Sequence, residues 1–132
     1  MLKYNLVLYL IVPFILIKLF FYSAKTSNKL TYLYNRLIGY KSLKKYSVWL
    51  HAASVGEMKI ALNVAKSLVE RGHEDILITS NTPSSAYIFD QEDLDKVDHR
   101  ILPLDFYFVT RRFVKSVSAK LLIIIETEIW PN

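Results

Sequence analysis

The chain has 132 residues, enough for one modest domain and too few for two. It contains no cysteine, which excludes a disulfide framework, a thiolate metal site and a cysteine nucleophile. The net charge of +5 is unevenly spread: residues 1–50 carry eight Lys/Arg and no acid, whereas residues 51–132 carry nine Lys/Arg against twelve acids. A uniformly basic domain points to nucleic acid; a basic N-terminal third on a mildly acidic remainder argues against that class and for anionic lipid.

The first element, Leu6 to Tyr22, is almost wholly apolar, with Lys18 its only charge and Pro13 inside it. As a helix it reaches roughly 26 Å, slightly short of a ~30 Å hydrocarbon core. Tyr4, Tyr9, Phe20, Phe21 and Tyr22 are placed to anchor its ends, and Lys18 is close enough to one end to snorkel. A signal peptide fits less well, because Tyr22-Ser-Ala24 is a poor small-x-small cleavage site; a buried core helix is the plain structural alternative. The expectation is a membrane-anchor helix over residues 1–24, spanning the bilayer or dipping into one leaflet. Lys25, Lys29, Arg36, Lys41, Lys44 and Lys45 follow it, against Lys3 and the amino terminus before it, so the positive-inside bias puts the rest of the chain in the cytoplasm. Residues 25–46 form a basic segment in which Leu30, Leu33, Tyr34, Leu37 and Ile38 keep helical spacing over 27–39. Ser27 or Asn28 is its cap and Gly39 its stop. The pattern fits an interfacial helix on acidic lipid and, equally, a helix packed on the domain that follows.

From residue 47 the pattern becomes a strand–helix alternation. Strands are expected at 47–53, 75–80, 100–104 and 121–125, and helices at 56–71, 83–91 and 106–117, with a polar loop over 92–99. Met58, Ala61, Leu62, Ala65, Leu68 and Val69 share one helix face, Gly72 stops that helix and Pro83 suits the first turn of the next. Leu121 to Ile125 is a continuous apolar run, suited to a strand buried on both faces. The alternation implies a Rossmann-like α/β domain over 47–132 with a parallel sheet and right-handed crossovers.

The motif content narrows the chemistry. Only Gly39, Gly56 and Gly72 are glycines, so G-x-G-x-x-G and the P-loop are absent, as is the G-x-S-x-G nucleophile elbow. His51, His73 and His99 lack metal-like spacing, and His51 reads as a core histidine inside the first strand. The remaining polar residues gather on one rim: Ser54 and Glu57 after the first strand, Ser80, Asn81 and Thr82 after the second, Asp105 after the third, Glu126 and Glu128 after the fourth. With strand order 3-2-1-4 the switch point lies between strands one and four, so Glu57 and the Glu126/Glu128 pair face one crevice. Like charges and partial burial raise a carboxyl pKa toward the operating pH, as a general base requires. Ser54-x-x-Glu57 is also a capping box, with Glu57 bonding back to the Ser54 N–H, and pattern alone favours the cap over the base.

His51-Ala-Ala-Ser-Val-Gly-Glu57, Thr82-Pro83, Leu102-Pro-Leu-Asp105 and Glu126-Thr-Glu-Ile-Trp-Pro-Asn132, in that order and spacing, closely resemble the N-terminal domain of the Kdo (3-deoxy-D-manno-octulosonate) transferases of lipopolysaccharide assembly. The resemblance runs from about Trp49 to Asn132. It departs at Ser84-Ser85, where the family more often has Thr-Gly, and at Phe106-Tyr-Phe108. It implies the N-terminal, acceptor-side half of a two-domain GT-B glycosyltransferase at the cytoplasmic face of a bacterial inner membrane. The implied substrates are a lipid A precursor and CMP-Kdo, with no metal or other cofactor. The family's catalytic glutamate falls on Glu57, with Glu126 as an accessory residue and Ser54, Gly56, Thr82 and Glu128 toward substrate. The domain that holds CMP-Kdo is missing, so a separately encoded C-terminal half is an expected partner. The alternative is a non-catalytic, membrane-associated remnant or lipid-binding module.

Overall fold

The computed structural model describes residues 2–24, 28–40 and 44–126. The elements run α1 (Leu2–Ser23), α2 (Lys29–Leu37), β1 (Val48–Ala52), α3 (Val55–Glu70), β2 (Ile76–Ser80), α4 (Pro83–Asp90), β3 (Val97–Ile101), α5 (Tyr107–Val117) and β4 (Leu121–Ile124). The four strands form one parallel sheet in the order β3-β2-β1-β4, with Val48 opposite Ile76 on one side and Leu121 on the other. The expected Rossmann-like half-sheet is therefore present, with its switch point between β1 and β4.

Strand alternation divides the core into two layers. Val48, Leu50, Ala52, Ile76 and Ile78 point to one face, where Met58, Ala61, Leu62 and Ala65 of α3 pack, with Ile88 and Phe89 of α4 beside them. Trp49 and Leu77 point to the other, against Phe113 and Val117 of α5. Leu50, Ile76 and Ile78 are fully buried, each contributing about 1.5–3 kcal/mol of transfer free energy. Helix ends obey local rules: Asn28, Ser54 and Thr82 cap α2, α3 and α4, and Gly39 and Gly72 take left-handed φ of 86° and 85° just beyond α2 and α3.

Four expectations are corrected. β3 begins at Val97, inside the stretch read as a polar loop. Its Val-Asp-His-Arg-Ile pairs with β2 from Ile76↔Val97 to Ser80↔Ile101, an edge strand whose polar residues hide the pattern. β4 is not buried on both faces: Leu121, Leu122 and Ile124 are 51%, 44% and 37% exposed, because nothing among the described residues covers that edge. The inward face of α2 is the Tyr32–Arg36 side, while Leu30 of the expected apolar face is 80% exposed. Arg36 donates to the Leu102 carbonyl, and Tyr40, just past the helix, donates to Ile101 O at 2.9 Å. Long side chains with polar tips seek those carbonyls, which a hydropathy pattern does not score. This is the packed-helix reading of the segment.

The fourth correction concerns the bilayer-spanning reading of α1, and that reading alone. Among the described residues no helix is long and apolar enough to cross a membrane. α1 lies along the domain instead. Near one end the Tyr4 hydroxyl donates to Asp105 Oδ2 at 2.7 Å, and the Tyr9 ring stacks on Phe106 at 6.1 Å. Near the other, Tyr22 neighbours Tyr32 and Arg36 of α2. Leu8 and Leu19 are buried against the protein while Leu10, Phe14 and Ile17 face outward.

Candidate functional site

The carboxyl ends of the strands form the rim. β1 is buried along its whole length and ends at Ala52; Ala53 then leads into Ser54, the N-cap of α3. Ser54 Oγ accepts the Glu57 N–H at 3.2 Å, and Glu57 Oε2 accepts the Ala53 N–H at 2.8 Å. The reciprocal bond of the expected capping box thus goes one residue further back, from Ser54 to Ala53, the first residue past the β1 ladder. Glu57 is 8% exposed, and the N-terminus of α3 favours its negative charge. A Cβ added at Gly56 would meet only Ser54 Oγ, at 3.9 Å, so neither conformation nor crowding within the chain requires glycine there. Its effect is to leave the first-turn backbone open to close approach from outside.

β4 brings Glu126 to the neighbouring rim position. The Ile125 N–H donates to His51 O at 2.9 Å, continuing the β1–β4 ladder past Ile124. By that register Glu126 comes level with Ala53, whose N–H holds the Glu57 carboxylate. Glu126 is exposed and left-handed, with φ 70°. Such a backbone costs a non-glycine residue roughly 1–3 kcal/mol and clusters at functional sites. Glu128 lies outside the described residues.

The other candidates separate. Thr82 caps α4, accepting the Ser85 N–H at 3.3 Å with its hydroxyl 3.0 Å from Ser85 Oγ. Ser80 turns inward to His99 Nε2 at 2.8 Å, and burial, with Arg100 beside it, pushes the His99 imidazole down to about 4. Asp105 accepts from Tyr4 and, at 3.4 Å, from Thr110; burial and that carboxylate push the Tyr4 phenol up to about 12. Two shallow concavities, of about 380 and 320 Å³, lie on the outer sides of α3 and α4 and take in no rim residue. Among the described residues, the Glu57 and Glu126 positions are the carboxylates that the β1–β4 register brings level on the rim.

Thr79 escaped sequence reasoning. Under the rim its hydroxyl receives Trp49 Nε1–H at 2.8 Å and lies 2.9 Å from His51 Nδ1, knitting β1 to β2 below the Glu57 turn. The signal was a hydroxyl directly after the apolar Ile76-Leu-Ile78 run, which must find partners once buried.

A family model described as 3-Deoxy-D-manno-octulosonic-acid transferase (kdotransferase) matches residues 19–132. The chain belongs to this family. It is 38% identical over 89 residues to the 3-deoxy-D-manno-octulosonic acid transferase of Rickettsia bellii, 67% of this chain and 21% of that protein. It is 40% identical over 86 residues to that of Haemophilus influenzae, 64% of this chain and 20% of the relative. To that of Aquifex aeolicus it is 35% identical over 94 residues, 70% and 26% of the two lengths. The stretch shared with these Kdo transferases thus spans about a fifth to a quarter of their length. It contains the α3 turn with Glu57.

Proposed function

We propose that this chain is the acceptor-side half of a Kdo transferase of lipopolysaccharide assembly, held at the cytoplasmic face of a bacterial inner membrane. Glu57 is the general base. The observation that carries the reading is the Glu57 carboxylate, fixed by the Ala53 N–H at 2.8 Å beside the switch-point crevice, within the region matched by the family. With Oε2 so held, Oε1 takes the proton of an acceptor-sugar hydroxyl. That oxygen forms its bond to the Kdo anomeric carbon as the bond to CMP breaks, with inversion. The displacement consumes no cofactor. Glu126 is an accessory carboxylate, Ser54 and Thr82 hold the two helix entrances that face substrate, and Gly56 admits it.

The CMP-Kdo site belongs to polypeptide beyond this stretch, supplied in cis or as a separate chain. The test is a chimera in which residues 1–132 replace the matching portion of the Haemophilus influenzae relative, assayed for Kdo transfer from CMP-Kdo to a lipid A precursor. Transfer by the chimera and none by the 132-residue chain alone is the expected result, since positioning the donor supplies much of such a rate. A well-folded but inactive chimera would favour the remnant reading. In cells, deleting residues 1–23 should release most of the protein from the membrane fraction, because the outward face of α1 is apolar.

A further inference from the structure

We infer that α5 is a bilayer-contact element: Phe108 enters the interface while Arg111, Arg112 and Lys115 meet anionic lipid headgroups. The inference rests on the membrane placement proposed above and moves the lipid-facing charge to a different part of the chain. The basic segment 25–46 loses cations to the protein itself. Arg36 is half-buried with its guanidinium on the Leu102 carbonyl, and Lys44 pairs with Asp75 and Asp98 at 3.1 Å each.

α5 shows the opposite arrangement. It buries Phe113 and Val117, which leaves residues 108, 111, 112 and 115 in i, i+3, i+4, i+7 spacing along its exposed side. Phe108 is 76% exposed, α5 contains no acid, and none of its three cations has a carboxylate partner among the described residues. Arg111 folds over the Tyr107 ring, donating to its hydroxyl at 3.0 Å. An aromatic beside cations on an otherwise polar face fits a charged interface better than water.

The occupant follows from continuity. The exposed Tyr9 of α1 stacks on Phe106, and Tyr107 lies edge-on to Phe108 at 5.3 Å. Aromatic side chains thus run from the apolar helix to the basic one. A surface that joins an apolar helix to three cations without a carboxylate partner among the described residues is complementary to anionic lipid, in which acyl chains and phosphates meet at one plane.

Because the chain has no cysteine, single-cysteine variants report one position each. Phe108→Cys, Phe14→Cys on α1 and Tyr87→Cys on α4 are labelled with an environment-sensitive fluorophore. Each is mixed with vesicles of phosphatidylglycerol and phosphatidylethanolamine that contain a brominated quencher lipid. Quenching at 14 and 108 but not at 87 is expected. Quenching at 14 alone would overturn the inference and leave the membrane placement standing; quenching at none of the three would overturn both. Second, Arg111→Glu with Lys115→Glu should cut the preference for anionic over zwitterionic vesicles by about 30-fold or more, at roughly fivefold per cation removed. Lys59→Glu with Arg71→Glu, on the opposite side of the sheet, should leave most of it. Equal effects of the two pairs would mean that net charge alone acts, and would sink the role of α5. Neither measurement involves CMP-Kdo, so both are independent of transferase activity.

Discussion

β1 and β4 lie side by side in the sheet and flank the same crevice, but they differ in what surrounds them. Every residue of β1 is buried, with α3 on one face and α5 on the other. Three of the four residues of β4 are exposed although all four are Leu or Ile. Their terminal carboxylates differ in the same way: Glu57 is buried and held by a backbone N–H, whereas Glu126 stands exposed on a left-handed backbone. An apolar run states what a strand needs around it; whether the cover exists depends on polypeptide that packs from elsewhere. On the β1 side the Glu57 carboxylate is held by the chain's own Ala53 N–H, the preorganisation that its proposed role as base requires.

The largest effect should come from Glu57→Gln, tested in the chimera. Glutamine retains a side-chain oxygen for the Ala53 N–H, so stability should change by no more than the ~1 kcal/mol scale of caps. It cannot take a proton at neutral pH, so transfer should fall by roughly 10²–10⁴-fold. Ser54→Ala is the converse: the base remains, the 3.2 Å bond from the Glu57 N–H is lost, and stability should drop by about 1 kcal/mol. Near-parental transfer by Glu57→Gln would end the general-base assignment and leave Glu57 as a cap.

The contrast in cover can be measured directly. Leu50→Ala, at a fully buried site between α3 and the sheet, should cost about 2–5 kcal/mol in chemical denaturation. Leu122→Ala, at a site 44% exposed, should cost under ~1 kcal/mol in the isolated chain. In the chimera the Leu122→Ala penalty should rise toward the Leu50→Ala value, as apolar strands of a parallel sheet are ordinarily covered on both faces. Equal penalties in the isolated chain would remove the distinction between the two strands.

Much of this organisation was legible in the sequence because local rules and tertiary demands coincide. The strand–helix alternation, α3 with its Met58–Ala65 face, Pro83 in the first turn of α4, and Glu57 on the first turn of α3 all follow from periodicity and capping, whereas the 3-2-1-4 order entered the sequence reading as a premise that the strand pairing then supplies. What was not legible shares one cause: the deciding partner lies far along the chain. β3 is a strand because Val97 to Ile101 pairs with β2, despite Asp98, His99 and Arg100. α2 turns Arg36 inward because the Leu102 carbonyl waits 66 residues away. At the site, the position of Glu57 was readable from the motif, but Thr79, which steadies His51 and Trp49 beneath it, is visible only once β1 and β2 are paired.

Beneath the rim, His99 gives the buried side of the comparison a pH signature. Burial, then Arg100, holds its imidazole neutral down to about 4, against an ordinary value of 6.5. Between those values the unfolded chain binds more protons than the folded one, so this contribution is complete above pH 6.5 and is lost as pH falls toward 4. The loss approaches ~3 kcal/mol at 1.36 kcal/mol per unit. Denaturation midpoints should therefore fall steeply across that window, and His99→Gln, which can still bond Ser80, should flatten the slope. An unchanged slope would assign the acid sensitivity to the carboxylates.

The smallest effect on folding is expected at Glu126, where backbone and charge can be separated. Glu126→Gly removes the cost of a side chain at φ 70°, roughly 1 kcal/mol at the low end, but adds a similar conformational entropy to the unfolded chain. The two terms nearly cancel, so stability should move by less than ~0.5 kcal/mol in either direction. Glu126→Asn tolerates the left-handed region while it removes the charge and one methylene. An accessory carboxylate beside the crevice should make both variants slower in the chimera, by about tenfold, one proton-scale interaction at 1.36 kcal/mol. If asparagine transfers at the parental rate and glycine does not, Glu126 serves through its backbone, as the turn that ends β4. If both transfer at the parental rate, the catalytic load of the rim rests on the β1 side, where Glu57 is already fixed.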